Sequence, residues 1–288
     1  MPETGQNAPE APRAEQQCVF DRPSALLDRP HHYCPGCSHG IYHRLVAEMI
    51  DEFGLLDKTI GICPVGCAVL AYNYFAFDMI EASHGRAPAV ATGVKRSLPD
   101  RFVFTYQGDG DLASIGMSET VHAAARGENI TIFFVNNGIY GMTGGQMAPT
   151  TLPGQKTTTS PAGRNVELTG QPIDMCKLLS SLPGVAFLAR VPLTSPKHLK
   201  TARKYMRKAV RAQLENKGFA MVEALAACPV QWHMTPMLAL RHVDEDVVKI
   251  YEPGVFVDRV GDPPGHSKNR SASDARTSES RAERREVP

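Results

Sequence analysis

What most constrains this chain is an alternation. Short runs rich in β-branched and aromatic residues, at 58–62, 79–80, 102–106, 130–135, 185–188 and 219–222, are separated by stretches with helical periodicity. Parallel strands need long crossovers, and helices in those crossovers cover both faces of the sheet they join. The order therefore predicts an α/β fold, a doubly wound, mostly parallel sheet flanked by helices. Ile41, Leu45, Met49 and Phe53 recur every fourth residue over 40–53, and Leu199, Ala202, Met206, Ala209 and Leu214 share one side of 196–217. Both sets read as faces packed on the sheet. The second segment also carries Lys197, Lys200, Arg203, Lys204, Arg207, Lys208 and Arg211. These read as a solvated basic face, with docking of an acidic protein as the alternative.

Residues 1–22 and 259–288 are polar and short of aromatic and β-branched residues. They cannot bury enough apolar surface to offset chain entropy and are expected to be disordered tails around a domain at 23–258. Across 288 residues, 31 Lys and Arg balance 30 Asp and Glu to a formal charge of +1. No net field therefore favours nucleic acid or an anionic membrane as partner. No run of about eighteen apolar residues is present for a membrane span, and the first stretch lacks the basic-then-apolar order of a signal peptide, so a cytoplasmic location is expected. Seven cysteines are an odd count in a chain too long to need disulfide staples. In a reducing compartment, any that cluster point to metal ligation or catalysis.

The 102–106 run ends at Gly108, Asp109 and Gly110, followed by a turn and a helix over 117–126; the 130–135 run ends at Asn136, Asn137 and Gly138. Doubly wound sheets bind ligands at the carboxyl edge, so Asp109 and Asn137 are expected to converge there although they are distant in sequence. A carboxylate, an amide oxygen and a carbonyl such as that of Ile139 form an oxygen donor set suited to Mg²⁺, which shares its coordination with phosphates. The glycines let the backbone approach a diphosphate, and the start of the following helix offers free N–H groups and a positive dipole end. A diphosphate–metal site is the expectation, whereas an isolated Gly-Asp-Gly would be only a strand-end turn. The segment 143–165 is too long for a routine connection and reads as a functional loop.

Cys34 and Cys37 form a two-residue-gap pair ahead of a helix, a spacing that lets two thiolates reach one metal centre. Cys18 falls in the expected tail and Cys176 in a helical stretch, whereas Cys67, after Gly66, and Cys228, before Pro229, sit at element ends where side chains can face a shared site. Spacing alone leaves the centre open between structural Zn²⁺ and an iron–sulfur cluster. Cys63 competes for the third ligand. His39 reads as a substitute ligand, a cofactor contact or a hydrogen-bonded helix-start histidine.

Six motifs in one order carry a family resemblance: 33–40 (YCPGCSHG), 64–67 (PVGC), 84–93 (HGRAPAVATG), the Gly-Asp-Gly and Asn-Asn strand ends, 143–146 (TGGQ) and 228–236 (CPVQWHMTP). The paired strand ends resemble the thiamine diphosphate fingerprint. The whole set, covering about 33–236, resembles the β subunit of the 2-oxoacid:ferredoxin oxidoreductases, in the group that includes the 2-oxoisovalerate and 2-oxoglutarate enzymes. Ser38 stands where the family commonly has glycine.

The resemblance implies the diphosphate-binding half of a thiamine-diphosphate fold. Asp109, Asn137 and the Ile139 carbonyl would hold Mg²⁺, and Gly108, Gly110, Asp111, Thr143 and Gly144 would surround the diphosphate or shape its lid. His84 and Arg86 would face cofactor and substrate, although a salt bridge is an alternative role for Arg86. Cys34, Cys37, Cys67 and Cys228 would hold one [4Fe–4S] cluster. The implied reaction is coenzyme A-dependent oxidative decarboxylation of a 2-oxoacid, with electrons passing through the cluster to ferredoxin. The catalytic glutamate of the family belongs to a separate pyrimidine-binding domain, and no second such domain is found in this sequence. The chain is therefore expected to be a half-site completed by an α-type subunit, with small γ and δ chains as further partners. Two other readings are a thiamine-diphosphate decarboxylase or ligase subunit without redox chemistry and a zinc-stabilised non-catalytic subunit.

Overall fold

The computed structural model describes residues 21–261; the two expected tails lie outside them except for their innermost residues, and Cys18 lies outside them too. In chain order the elements are α1 (Ser38–Glu52), β1 (Thr59–Cys63), β2 (Asp78–Glu81), α2 (Ala87–Ser97), β3 (Phe102–Gly108), α3 (Met117–Arg126) and β4 (Thr131–Asn136). A short hairpin follows, β5 (Ile139–Tyr140) and β6 (Gln146–Met147), then α4 (Val166–Thr169), α5 (Met175–Ser180), β7 (Val185–Pro192), α6 (Pro196–Leu214), β8 (Phe219–Leu225), α7 (Pro236–His242), α8 (Val248–Ile250) and β9 (Gly254–Asp258). The main sheet runs β2-β1-β3-β4-β8-β7-β9, parallel except for β9, which pairs antiparallel with β7. Each of the six β-rich runs becomes a strand of this sheet, as the alternation predicts. The strand β9 and the hairpin were not foreseen.

Successive side chains of a strand face opposite ways, and β3 shows how the two cores arise. Phe102, Phe104 and Tyr106 join Phe133 against Tyr42, Leu45 and Met49 of α1 and Ala202, Met206 and Ala209 of α6. Val103, with Ile132 and Phe134, packs against Ala87 and Ala91 of α2, Ala123 and Ala124 of α3 and Leu179 of α5. The buried stripe of α1 is Tyr42, Leu45, Val46, Met49 and Ile50, whereas Ile41 is exposed, as is Leu214 at the end of α6. A helix turns every 3.6 residues, so a strict fourth-residue spacing drifts off the buried face.

The basic side of α6 is largely paired within the chain. Arg203 and Arg207 bond Glu48 and Glu52 of α1 at 2.7 and 2.6 Å, Lys208 bonds Asp258 at 2.5 Å, and Arg211 bonds Glu215 at 2.8 Å. That fits a solvated ion-paired face.

Register brings the motifs together. Gly108 lies opposite Val135 and Asn136 opposite Leu225, so the chain segments after β3, β4 and β8 leave adjacent central strands at one edge. The chain after β1, with Cys67, leaves at that same edge because β1 runs parallel to β3. The start of α1 is tied there as well, since Ser38 N–H donates to Ala227 O at 3.2 Å and Ala227 N–H donates to Ser38 Oγ at 2.9 Å. Among the described residues no helix is long and apolar enough to cross a membrane.

Candidate active site

Asp109 is the first residue beyond β3 and only 2% exposed. Its carboxylate accepts from Gly110 N–H at 2.8 Å and from the Thr150 hydroxyl at 2.6 Å, and also faces the backbone N–H groups of Gly138 and Asn137. The carboxylate of one strand end is thus seated on the turn that closes its neighbour. Burial pushes its pKa up to about 6, against the pull of those hydrogen bonds. Among the described residues no Lys, Arg or His is paired with it. Asn137 turns its amide oxygen onto Ile139 N–H at 3.3 Å and gives its carbonyl to the Trp232 indole N–H at 3.2 Å. Ile139 is buried at the start of β5.

Gly110 is required sterically: a Cβ there would stand 2.2 Å from the Tyr140 ring, whose hydroxyl donates to Gly110 O at 3.1 Å. Beyond it the chain makes one wide turn, closed by Gly116 N–H on Asp111 O at 2.8 Å, so α3 starts at Met117 instead of directly at the glycine. Asp111 is buried and fully engaged. It accepts from Gly85 N–H and Gln107 Nε2 at 2.6 Å each and bonds His84 Nδ1 at 2.6 Å. It therefore fixes the turn that carries His84, whose side chain keeps about a third of its surface open. Arg86 is paired with Glu119, which is the salt bridge considered as its alternative role. Thr143 and Gly144 form the exposed tip of the β5–β6 hairpin, with Thr143 Oγ donating to Gln146 Oε1 at 2.5 Å.

The thiols gather beside this turn. A Cβ on Gly141 would lie 3.3 Å from Cys67 Sγ and 3.7 Å from Cys228 Sγ, so both sulfurs flank one bare backbone position. Burial pushes the Cys67 pKa up to about 11, with Cys37, Cys34 and Asp109 adding to it. Burial pushes Cys228 up to about 12, with Cys37, Cys67 and Asp109 adding. The four sequence-selected cysteines and Asp109 thus share one electrostatic neighbourhood. Cys63 instead points its thiol at Ile80 O, 3.7 Å away, and Cys176 is buried against Glu223 at 3.0 Å. His39 is buried with Nδ1 2.9 Å from the Tyr106 hydroxyl, and burial lowers its pKa to about 3. That is the hydrogen-bonded histidine among its three readings. Among the described residues no three His, Cys, Asp or Glu close on one point at single-ion spacing.

Thr150, Gln107, Tyr140 and Trp232 hold this site together, and sequence reasoning assigned none of them a role. Thr150 reaches Asp109 across 41 positions, and no local pattern marks such a contact.

Residues 64–224 match the family model of the thiamine pyrophosphate enzyme C-terminal TPP-binding domain. The chain is 47% identical over 241 residues to the ketoisovalerate oxidoreductase subunit VorA of Methanothermobacter thermautotrophicus, covering 84% of this chain and 50% of that one. It is 36% identical over 217 residues to the 2-oxoglutarate synthase subunit KorB of Archaeoglobus fulgidus, covering 75% and 77%. A solved structure of the 2-oxoglutarate:ferredoxin oxidoreductase from Magnetococcus marinus, with 2-oxoglutarate, coenzyme A and succinyl-CoA bound, superposes with a TM-score of 0.68 at 25% identity, over 85% of this chain and 87% of that chain. The chain spans about half the length of the ketoisovalerate oxidoreductase subunits it matches. On these matches and this fold, the chain belongs to the 2-oxoacid:ferredoxin oxidoreductases, as a β-type subunit carrying their thiamine diphosphate-binding domain.

Proposed function

We propose that this chain, through a domain at 23–258, binds thiamine diphosphate with Mg²⁺ and one [4Fe–4S] cluster. It acts as the β subunit of a cytoplasmic enzyme that oxidatively decarboxylates a 2-oxoacid, transfers the acyl group to coenzyme A and passes electrons to ferredoxin. The observation that carries this reading is the Asp109 carboxylate, buried at a strand end, raised in pKa and given no cationic partner among the described residues. A bound divalent cation supplies the missing counter-charge, and a donor set of carboxylate, Asn137 amide oxygen and Ile139 carbonyl suits Mg²⁺. Gly108, with open space where a Cβ would stand, leaves the backbone bare for the diphosphate, Gly110 admits the Tyr140 ring that braces the turn, and Thr143 and Gly144 lie at the lid of the diphosphate. When bound, thiamine diphosphate supplies the electron sink for loss of CO₂.

The chain's own residues then bind and orient. Asp111 holds the His84 turn toward the cofactor, and Arg86 offers a guanidinium that can exchange Glu119 for a substrate carboxylate. Cys34, Cys37, Cys67 and Cys228 supply four thiols whose neighbourhood is shared with Asp109. A single Zn²⁺ needs all its sulfurs about 2.3 Å from one point, whereas a cluster takes one thiolate at each iron and accepts wider spacing. A cluster beside a thiamine diphosphate site has an electron donor, which favours it over structural Zn²⁺. The glutamate that activates the cofactor comes from an α-type subunit, with γ and δ chains as further members.

The test is anaerobic purification of the full-length chain with its neighbouring subunits. Asp109→Ala is expected to weaken Mg²⁺-dependent thiamine diphosphate binding by more than about 100-fold with an unchanged circular dichroism spectrum. Cys228→Ser is expected to lose the brown chromophore, the iron and viologen reduction, and Cys176→Ser to keep all three. Unchanged affinity in the first variant overturns the metal assignment, and equal iron in the two cysteine variants overturns the cluster.

A further inference from the structure

The strand β8 carries a carboxylate with no exposed surface, Glu223, and β7 beside it an equally buried guanidinium, Arg190. Arg190 Nε donates to Glu223 Oε2 at 2.8 Å, and the Cys176 thiol reaches the same oxygen at 3.0 Å. The other oxygen, Oε1, accepts from Asn136 Nδ2 at 2.7 Å. Exchanging a buried ion pair for well-packed apolar side chains is often neutral or stabilising, so stability is a weak account of this charge. What the carboxylate does that an apolar residue cannot is to fix an amide. A carboxylate only accepts, so Asn136 must turn its NH₂ toward Glu223 and its oxygen the other way. There Asn136 Oδ1 accepts from Gly138 N–H at 3.3 Å. That N–H also faces the Asp109 carboxylate, and Gly138 holds φ at 65° in the left-handed region.

We propose that Glu223 is a positioning residue which, acting through Asn136, sets the polarity and shape of the turn that presents Asn137 and Gly138 to Asp109. The inference rests on the reading of this rim as the Mg²⁺–diphosphate site. It reaches one strand beyond β4, whose end carries Asn137.

Substitution by amide exchange tests it. In Glu223→Gln the introduced amide keeps its oxygen toward Arg190, because its NH₂ there would oppose a guanidinium. Its NH₂ therefore meets the NH₂ of Asn136, which must flip and set a donor against Gly138 N–H. In the double variant Glu223→Gln with Asn136→Asp, the introduced NH₂ donates to the introduced carboxylate, which again accepts from Gly138. Trp232 is the single tryptophan of the chain and its indole bonds the Asn137 carbonyl, so its fluorescence reports this turn without any cofactor.

The measurements use the full-length chain: Trp232 emission and acrylamide quenching without cofactor, and thiamine diphosphate binding across an Mg²⁺ titration. Glu223→Gln is expected to shift and expose the Trp232 emission and to weaken binding about 10- to 100-fold. The double variant is expected to restore both, and Cys176→Ser to alter neither. A double variant no better than the single one, or a single one that changes neither readout, overturns the proposal. If Glu223→Gln does not fold, the double variant decides alone: wild-type emission supports the proposal, and failure to fold or a shifted emission overturns it. If the wild-type chain binds no Mg²⁺–thiamine diphosphate, the site reading fails, and the emission of the variants still judges Glu223.

Discussion

At the residue scale, the site is built on polar groups that burial holds away from their ordinary protonation, and His43 shows the consequence for stability. Its ring stacks 3.9 Å from Phe75, its Nδ1 lies 3.4 Å from the Tyr33 hydroxyl, and its Nε2 is buried with no hydrogen-bond partner. Burial lowers its pKa to about 3, with His39, His31 and His32 adding to the effect; the rings of Tyr33, Tyr74, Phe75 and Tyr106 pack around it. The unfolded chain takes up this proton near pH 6.5 and the folded chain only near 3. The contribution is therefore whole above 6.5 and is lost as pH falls through that window, at about 1.4 kcal/mol per pH unit. His43→Phe, which keeps the stack and removes the proton acceptor, is expected to flatten the loss of stability between pH 6 and 4 by about that slope. Urea melts across this range check it, and equal slopes for the two proteins refute it. Asp109 and Asn137 stand out in the sequence as strand ends and Cys34 and Cys37 as a spaced pair, whereas Cys67 and Cys228 are selected by the family resemblance. Glu223, Thr150 and His43 were not legible, because a strand glutamate, a loop threonine and a helix histidine gain their roles only from what the fold sets against them.

At the element scale, the alternation of strand-like and helical stretches sufficed for the six parallel strands of the sheet, while β9 and the connection after the hairpin did not show in it. Residues 143–165 read in the sequence as a functional loop, and what orders them in the structure is one side chain. Arg164, 5% exposed, donates to the carbonyls of Thr151 at 2.7 Å, Pro149 at 2.9 Å, Gly170 at 3.0 Å and Gln171 at 3.2 Å. It closes the loop on itself and holds Thr150 where its hydroxyl meets Asp109. No periodicity could reveal this, since the partners are backbone carbonyls that every residue carries. Hydrogen bonds from a charged donor contribute about 1.5–3 kcal/mol each where their acceptors are buried. Arg164→Met, similar in length but without donors, is expected to speed limited proteolysis within 148–171 at least about 10-fold by raising the open population. The central strands are expected to keep their hydrogen-exchange protection. Loss of protection throughout the sheet would show instead that Arg164 supports the whole domain.

At the scale of the whole molecule, the edge that carries the site is also where apolar side chains are left uncovered. Met237 and Leu238, in the helix after β8, are 74% and 51% exposed. Nearby, Leu152, Trp232, Met234 and Ile250 line an open cleft of about 590 Å³. Exposed apolar clusters of this kind mark surfaces that other chains cover. A half-site reading places the α-type subunit over that edge, where it can bring its glutamate to the cofactor. The double variant Met237→Asp, Leu238→Asp is expected to abolish co-purification with that subunit and, with it, 2-oxoacid-dependent viologen reduction. Thiamine diphosphate binding and the melting temperature of the isolated chain are expected to stay at wild-type values, because both side chains lie outside the core and make none of the contacts that hold Asp109, Asn137 or the thiols. A variant that still assembles and turns over moves the partner surface to another face, and one that loses cofactor binding in isolation makes α7 part of the site itself.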